Sequence, residues 1–180
     1  MGEFFNMTFN TYQTLTGLEN GTYLIYVQGF YRNGSQDQSY AAHNAGTEKL
    51  FALLYGNDKS LPLCSLYDYE TGGWNRGFAD NRHQANEGFT ASKDNYANYL
   101  LAEVTDGTLR LGLKKTAQVG LDWTCFNNFR LFYVPAKATG VSEAKTFKSP
   151  SSLYYTVGGV PSQHPVSGLN IWNGKKVIVK

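Results

Sequence analysis

Residues 22–31 carry the clearest pattern in the chain. Tyr23, Ile25, Val27 and Gly29 fall on one side of an extended strand, and Leu24, Tyr26, Gln28 and Phe30 on the other. Both sides are largely apolar, which predicts a central strand covered on both faces. Gly29 within it predicts a bulge or a close backbone approach. Residues 7–16 form an earlier strand candidate, closed by the turn Leu18-Glu19-Asn20-Gly21. Further strands are expected at 48–55 and 60–69. Residues 95–105 and 108–115 flank Asp106-Gly107, a dipeptide favoured in two-residue hairpins because both positions need positive φ. In the second of these strands Leu109, Leu111 and Leu113 point inward, and Arg110 and Lys114 outward. The last long strand spans 123–134.

Two stretches break the alternation. Residues 32–47 are polar and read as a long loop. Residues 70–93 are the longest aperiodic region, holding Gly72-Gly73, Trp74, Arg76, Phe78, Asp80, Arg82, His83 and Asn86. A loop of that length in a compact domain is usually functional or mobile. No internal repeat and no helix of notable length stand out. The set of strands predicts an all-β fold, an antiparallel two-sheet sandwich of jelly-roll type, over residues 1–134. Residues 135–150 are rich in Ala, Lys, Ser and Thr and read as a linker. In residues 151–180, Leu169-Asn170-Ile171-Trp172, Asn173-Gly174 and the Lys-rich end predict a small C-terminal β-hairpin.

Composition supports strands: aromatic residues make up 15% of the chain and charged residues only 17%. A net charge of +2, with no basic cluster outside the tail, argues against nucleic acid as the main partner. No apolar run approaches the length of a membrane span. The opening Met1-Gly2-Glu3-Phe4-Phe5 has neither the basic nor the long apolar region of a signal peptide, and the chain reads as a piece of something longer. Cys64 and Cys125 sit in apolar runs. Free, buried thiols are the expectation, with a single bridge left open.

Several segments carry a resemblance. They are Tyr12-Gln13-Thr14-Leu15-Thr16-Gly17-Leu18, Asn20-Gly21-Thr22-Tyr23, Val27-Gln28-Gly29-Phe30-Tyr31-Arg32, Leu54-Tyr55-Gly56-Asn57, Asp106-Gly107-Thr108-Leu109, Asp122-Trp123-Thr124 and Asn128-Phe129-Arg130-Leu131. In order and spacing they resemble a galactose-binding-domain-like module, similar to the carbohydrate-binding modules of secreted gut-bacterial proteins. The resemblance spans residues 4–134 and implies a β-sandwich that binds glycan through its end loops. The family usually has an acid before the Asn-Phe-Arg-Leu run, where this chain has Asn127. The tail from Tyr154 resembles sorting segments of the type IX secretion route, which implies export to the cell surface or beyond, as one part of a longer parent protein.

A glycan site needs a flat aromatic face and polar groups to fix the hydroxyls. Trp74, Tyr67 and Tyr69 supply rings in or near the long loop, and Arg32, Arg76, Asn86 and Asp80 supply donors and acceptors. The loops at 32–47, 70–93 and 115–122 are expected to converge at one end. Phe78 is expected to pin the long loop, Trp123 to pack in the core, and Arg130 to be an outward charge or a buried pair. As in related sugar-binding modules, Glu3, Asp122, Asn127 and Asn128 could place oxygens near a calcium ion if the first and last strands are neighbours. Calcium wants six to eight oxygens and no dense acidic loop provides them, so no metal is the favoured expectation. His43, His83 and His164 lack zinc spacing. The absence of a Gly-x-Ser-x-Gly elbow, and an Asp80/Glu87 pair set in a polar loop, make an enzyme the last-ranked class. The alternative to a glycan-binding module is a structural or adhesion sandwich that contacts proteins.

Overall fold

The computed structural model describes residues 1–135, 154–156, 161–172 and 175–179. The chain divides into two units, Met1–Ala136 and Lys137–Lys180. The first runs β1 (Gly2–Phe5), β2 (Phe9–Leu15), β3 (Gly21–Arg32), α1 (Gln36–Asn44), β4 (Leu53–Gly56), β5 (Lys59–Pro62), β6 (Cys64–Ser65), a 3-10 turn (Leu66–Asp68), α2 (Arg82–Ala91), β7 (Ala97–Val104), β8 (Leu109–Lys115) and β9 (Trp123–Val134).

β3 organises this unit. It pairs antiparallel with β9 on one side and with β7 on the other, and its end at Phe30 and Tyr31 takes β6 in parallel. β1 extends the sheet beyond β9. A second sheet, ordered β2-β8-β4-β5, is antiparallel throughout. The fold is therefore an all-β pair of sheets with two short helices. Ile25, Val27 and Tyr31 of β3, with Leu100, Ala102 and Val104 of β7, meet Leu54 of β4 and Leu109, Leu111 and Leu113 of β8 between the sheets.

The opposite face of β3 is buried too, at one end. Phe30 there is fully buried, with its ring 5.9 Å from Phe89, 4.9 Å from Tyr96 and 5.0 Å from Trp123. Leu66, Tyr67, Phe78, Ala85 and Cys125 complete this second cluster. It is a third layer, built from the 3-10 turn, α2 and the chain between them. The double-sided burial expected of this strand is present, and so is the close approach expected at Gly29, whereas the bulge falls before it, at Val27. The β3–β9 register shifts between Tyr26 and Gln28, and a Cβ on Gly29 would lie 3.2 Å from the Phe126 side chain.

Polar groups tie the layer down. Gln28 Nε2 lies 2.9 Å from the carbonyls of Ser92 and Asn95 and 3.1 Å from that of Phe89, at the C-terminal end of α2 where helix carbonyls lack partners. Asn98 donates to the carbonyls of Gly29 and Tyr96 and accepts from Cys64 N. Lys115, at the end of β8, forms a buried ion pair with Asp122, which also accepts from the Tyr31 hydroxyl at 2.9 Å. This pair links the two sheets.

Several expected elements change. The polar stretch at 32–47 holds α1, and 70–93 holds α2. Asn81 caps α2 by accepting from Gln84 N at 3.0 Å. Periodicity concealed α2 because its buried side is Gln84, Ala85, Gly88 and Phe89, with little apolar contrast. The strand expected at 60–69 is two short strands and the 3-10 turn, capped reciprocally by Ser65 and Asp68. The strand expected at 48–55 begins only at Leu53, and β1 has no counterpart in the sequence reading. Asp106-Gly107 does not close a hairpin: β7 and β8 belong to different sheets. Gly107 has φ 73° and its N–H donates to Asn20 Oδ1, so the turn passes the chain between layers.

Cys64 and Cys125 are both free, and burial pushes the Cys64 thiol up to about 11. No described helix is long and apolar enough to cross a membrane.

In the second unit, β10 (Tyr154–Thr156), β11 (Pro161–Ser162), β12 (Gly168–Trp172) and β13 (Lys175–Val179) form one sheet ordered β11-β10-β12-β13. The expected hairpin is thus the β12–β13 half of a four-stranded sheet, in register from Gly168↔Val179 to Trp172↔Lys175. Asn170 is fully buried and clamps Val166 from both its amide atoms. The Asn173-Gly174 turn, Lys180 and, beyond Pro135, the expected 135–150 linker lie outside the described residues.

Burial holds the Tyr31, Tyr96 and Cys125 side chains in their neutral forms by raising their pKa values, above 10.0 for the tyrosines and 9.0 for the cysteine. In the unfolded chain the same groups ionise near those ordinary values. Stability from this source is intact at lower pH and drains away as pH rises through them. Urea midpoints measured at about pH 8 and about pH 11 should fall at the higher pH, with the tyrosinate absorbance of these rings appearing only on unfolding.

Candidate functional site

Trp74 stands on a small, tightly bonded hairpin. Thr71 N and Gly73 N donate to the Gly77 carbonyl at 2.9 and 3.1 Å, and Asn75 and Phe78 exchange backbone hydrogen bonds at 3.2 and 2.8 Å. Arg76 and Gly77 take positive φ at the turn (53° and 90°). Gly73 is required: a Cβ there would sit 2.0 Å from the Phe78 carbonyl oxygen. Phe78 points inward and packs 5.1 Å from the Tyr67 ring and 6.0 Å from the Tyr40 ring, as its expected pinning role requires. Alternation then throws Trp74 outward, where it is 84% exposed.

The indole borders a cleft of about 280 Å³ lined by Thr71, Gly72, Gly73, Asn81, His83, Gln84 and Glu87. α2 forms its wall. Gln84 is buried at the base and accepts from Asp80 N at 2.9 Å. His83 Nε2 lies 3.3 Å from Glu87 Oε1, one helical turn on. The result is a flat exposed ring beside amide, imidazole and carboxylate groups on a rigid frame.

The other residues expected at the site separate from Trp74. Arg32 is buried; it donates to the Gly34 and Leu121 carbonyls and lies 5.5 Å over the Trp123 ring. Burial lowers its pKa. Arg32 and Asp80 line a second cleft of about 220 Å³ with Glu3, Phe5, Asn81, Arg82 and Trp123. Asp80 also accepts from Gln36 Nε2. Asn86 is exposed on α2, in a hollow shared with Met1, Arg82 and His83. These concavities follow one another around the first turns of α2. Tyr67, Tyr69 and Arg76 line none of them. Tyr67 is buried, with its hydroxyl donating to Gln36 O at 3.0 Å. Tyr69 stands edge-on to Tyr96 at 5.1 Å. Arg76 pairs with Asp37 at 2.6 Å and lies 5.0 Å over the Tyr40 ring.

The loops do converge: Arg76–Asp37 and Asp80–Gln36 join 70–93 to 32–47, and Arg32 reaches Leu121. Sequence reading missed Asn81, His83, Gln84 and Glu87 as a group. The signal was present as an Asn cap with His and Glu at helical i,i+4 spacing.

The oxygen set considered for calcium is dispersed, although β1 and β9 are neighbours. Glu3 accepts from Trp123 Nε1 at 2.8 Å, Asp122 is committed to Lys115 and Tyr31, and Asn128 donates to Gln28. No group of three or more His, Cys, Asp or Glu among the described residues is placed to hold a metal. Trp123 packs in the core as expected, and Arg130 is an exposed charge.

Gly73→Ala forces a carbon against the Phe78 carbonyl and should cost about 1–3 kcal/mol, the usual penalty of overpacking. Thermal unfolding measures the loss, and proteolytic nicking within residues 71–78 should appear in the variant first. No protein-family model, no curated protein and no solved structure matches this chain.

Proposed function

We propose that this chain is a non-catalytic carbohydrate-binding module that takes a glycan at the Trp74 cleft. One observation carries the reading: a large aromatic ring is held almost fully exposed by a hairpin anchored through its buried Asn75 and Phe78 side chains. Exposing an indole forgoes the burial that normally stabilises a Trp. A sugar ring would recover that burial by stacking on the indole face, with hydroxyls bonding to Asn81, His83 and Glu87 in the adjoining cleft. The preformed frame limits the entropy lost on binding. Nothing in the arrangement activates a nucleophile: His83 and Glu87 pair with each other on an exposed helix face, and Asp80 lies in a different cleft from Glu87.

The proposed setting is a secreted or surface-exposed parent protein, by the resemblance of residues 4–134 to galactose-binding-like modules and of the tail to type IX sorting segments. A single small cleft suits affinities of about 1 μM to 1 mM, with avidity supplied by other domains of the parent.

Native affinity gels containing galactan, arabinoxylan or mucin glycans test the reading. At least one is expected to retard the wild-type chain. Trp74→Ala should weaken that binding about tenfold or more, a loss of about 1.4 kcal/mol, with an unchanged melting temperature. Retardation identical in wild type and variant would assign Trp74 no part in binding. No retardation in any gel would favour a structural or adhesion module.

A further inference from the structure

Within the first unit, the described residues cover the outer face of the five-stranded sheet at one end. Beyond Gln28 the strands form registered rows, Tyr99, Tyr26 and Arg130, then Leu101, Leu24 and Phe132, in which Tyr26 is buried, Leu24 half-buried and the flanking residues exposed. Tyr99, Leu101 and Phe132 are 53%, 56% and 48% exposed. Single exposed apolar residues are ordinary, but a cluster on the two strands that flank β3 marks a contact surface.

The border of this surface is built. Lys93 and Asp94, where α2 leads into β7, form a step beside it, and the Tyr26 hydroxyl donates to the Lys93 carbonyl at 2.5 Å. Step and rows enclose a cleft of about 190 Å³. The Arg130 guanidinium lies 5.9 Å from the Tyr26 ring, within this cleft. Among the described residues, neither Arg130 nor Lys93 lies within ion-pair distance of a carboxylate. An apolar protein partner would have to bury that guanidinium unpaired, which is costly. A ligand bringing its own carboxylate meets it with the bidentate geometry that Arg favours. Tyr99 and Phe132 lie on strands flanking β3 and in successive rows, roughly 12 Å apart on the diagonal, so two rings of one extended chain can rest on them.

We infer that this bare half-sheet is a second carbohydrate platform, taking an extended acidic polysaccharide whose rings stack on Tyr99 and Phe132 and whose carboxylate pairs with Arg130. It uses none of the residues around Trp74, so either site can fail without the other.

Affinity electrophoresis of the full chain in polygalacturonate, with neutral galactan as the comparison, tests it. Wild type and Trp74→Ala should be retarded equally by polygalacturonate. Arg130→Ala should weaken binding about tenfold, Arg130→Lys by less, and added salt should weaken the wild type. Tyr99→Ala combined with Phe132→Ala should abolish retardation. All these side chains are exposed, so melting curves should match the wild type. The proposal is overturned by no retardation in polygalacturonate, by retardation indifferent to these variants, or by stronger retardation in the neutral gel. A wild-type dimer in light scattering that separates on the Tyr99→Ala/Phe132→Ala change would overturn it by making the face a contact between copies.

Discussion

The burial of β3 on both faces is the constraint on which the rest of the first unit depends. One face fills the space between the sheets, as in any sandwich. The other presents Phe30, which cannot be left to water on a strand whose neighbours are fully paired. The chain from Leu66 to Tyr96 answers this by folding over it, and the aromatic cluster of Phe30, Phe89, Tyr96 and Trp123 results. Everything proposed about binding is a by-product of where that cover lies. Under it, Phe78 and Tyr67 anchor the hairpin that exposes Trp74. Past its border, Tyr99 and Phe132 are left bare.

Polar groups decide where the cover attaches. Gln28 and Asn98 sit in otherwise apolar surroundings, and each satisfies backbone carbonyls that would lack partners, on the outer layer and on β3 itself. A buried amide with its partners in place fixes register, whereas an apolar residue of similar size would allow sliding. Lys115 and Asp122 act similarly between the sheets. Removing either partner would strand a charge in the interior, typically at a cost of about 3–5 kcal/mol. The same commitment takes Asp122 out of any metal site.

The strands were legible where a single face is buried. β8 buries Leu109, Leu111 and Leu113 and exposes Arg110, and β3 announced its double burial by carrying apolar residues on both sides. What stayed hidden has particular causes. α2 buries a Gln, an Ala, a Gly and one Phe, so its helical side has little contrast with its solvent side. Asp106-Gly107 carries the dihedral preference of a hairpin turn, but that preference does not say whether the strands it joins share a sheet. Trp74 was legible as a candidate stacking ring in the aperiodic 70–93 stretch. Its companions were not, because Asn81, Gln84 and Glu87 become neighbours of Trp74 only through the fold of α2 against the hairpin. Arg76 is close to Trp74 in sequence, but the fold turns it toward Asp37.

The cover over Phe30 exists because of Phe30 and frames the Trp74 cleft. Hydrogen exchange on the wild type and on Phe30→Ala tests this most directly. The truncation should cost about 3–5 kcal/mol, and protection within residues 66–91 should fall by much more than that of Leu54, Leu111 and Leu113 in the other sheet. Equal loss across both sheets, or unchanged protection in 66–91, would contradict the account.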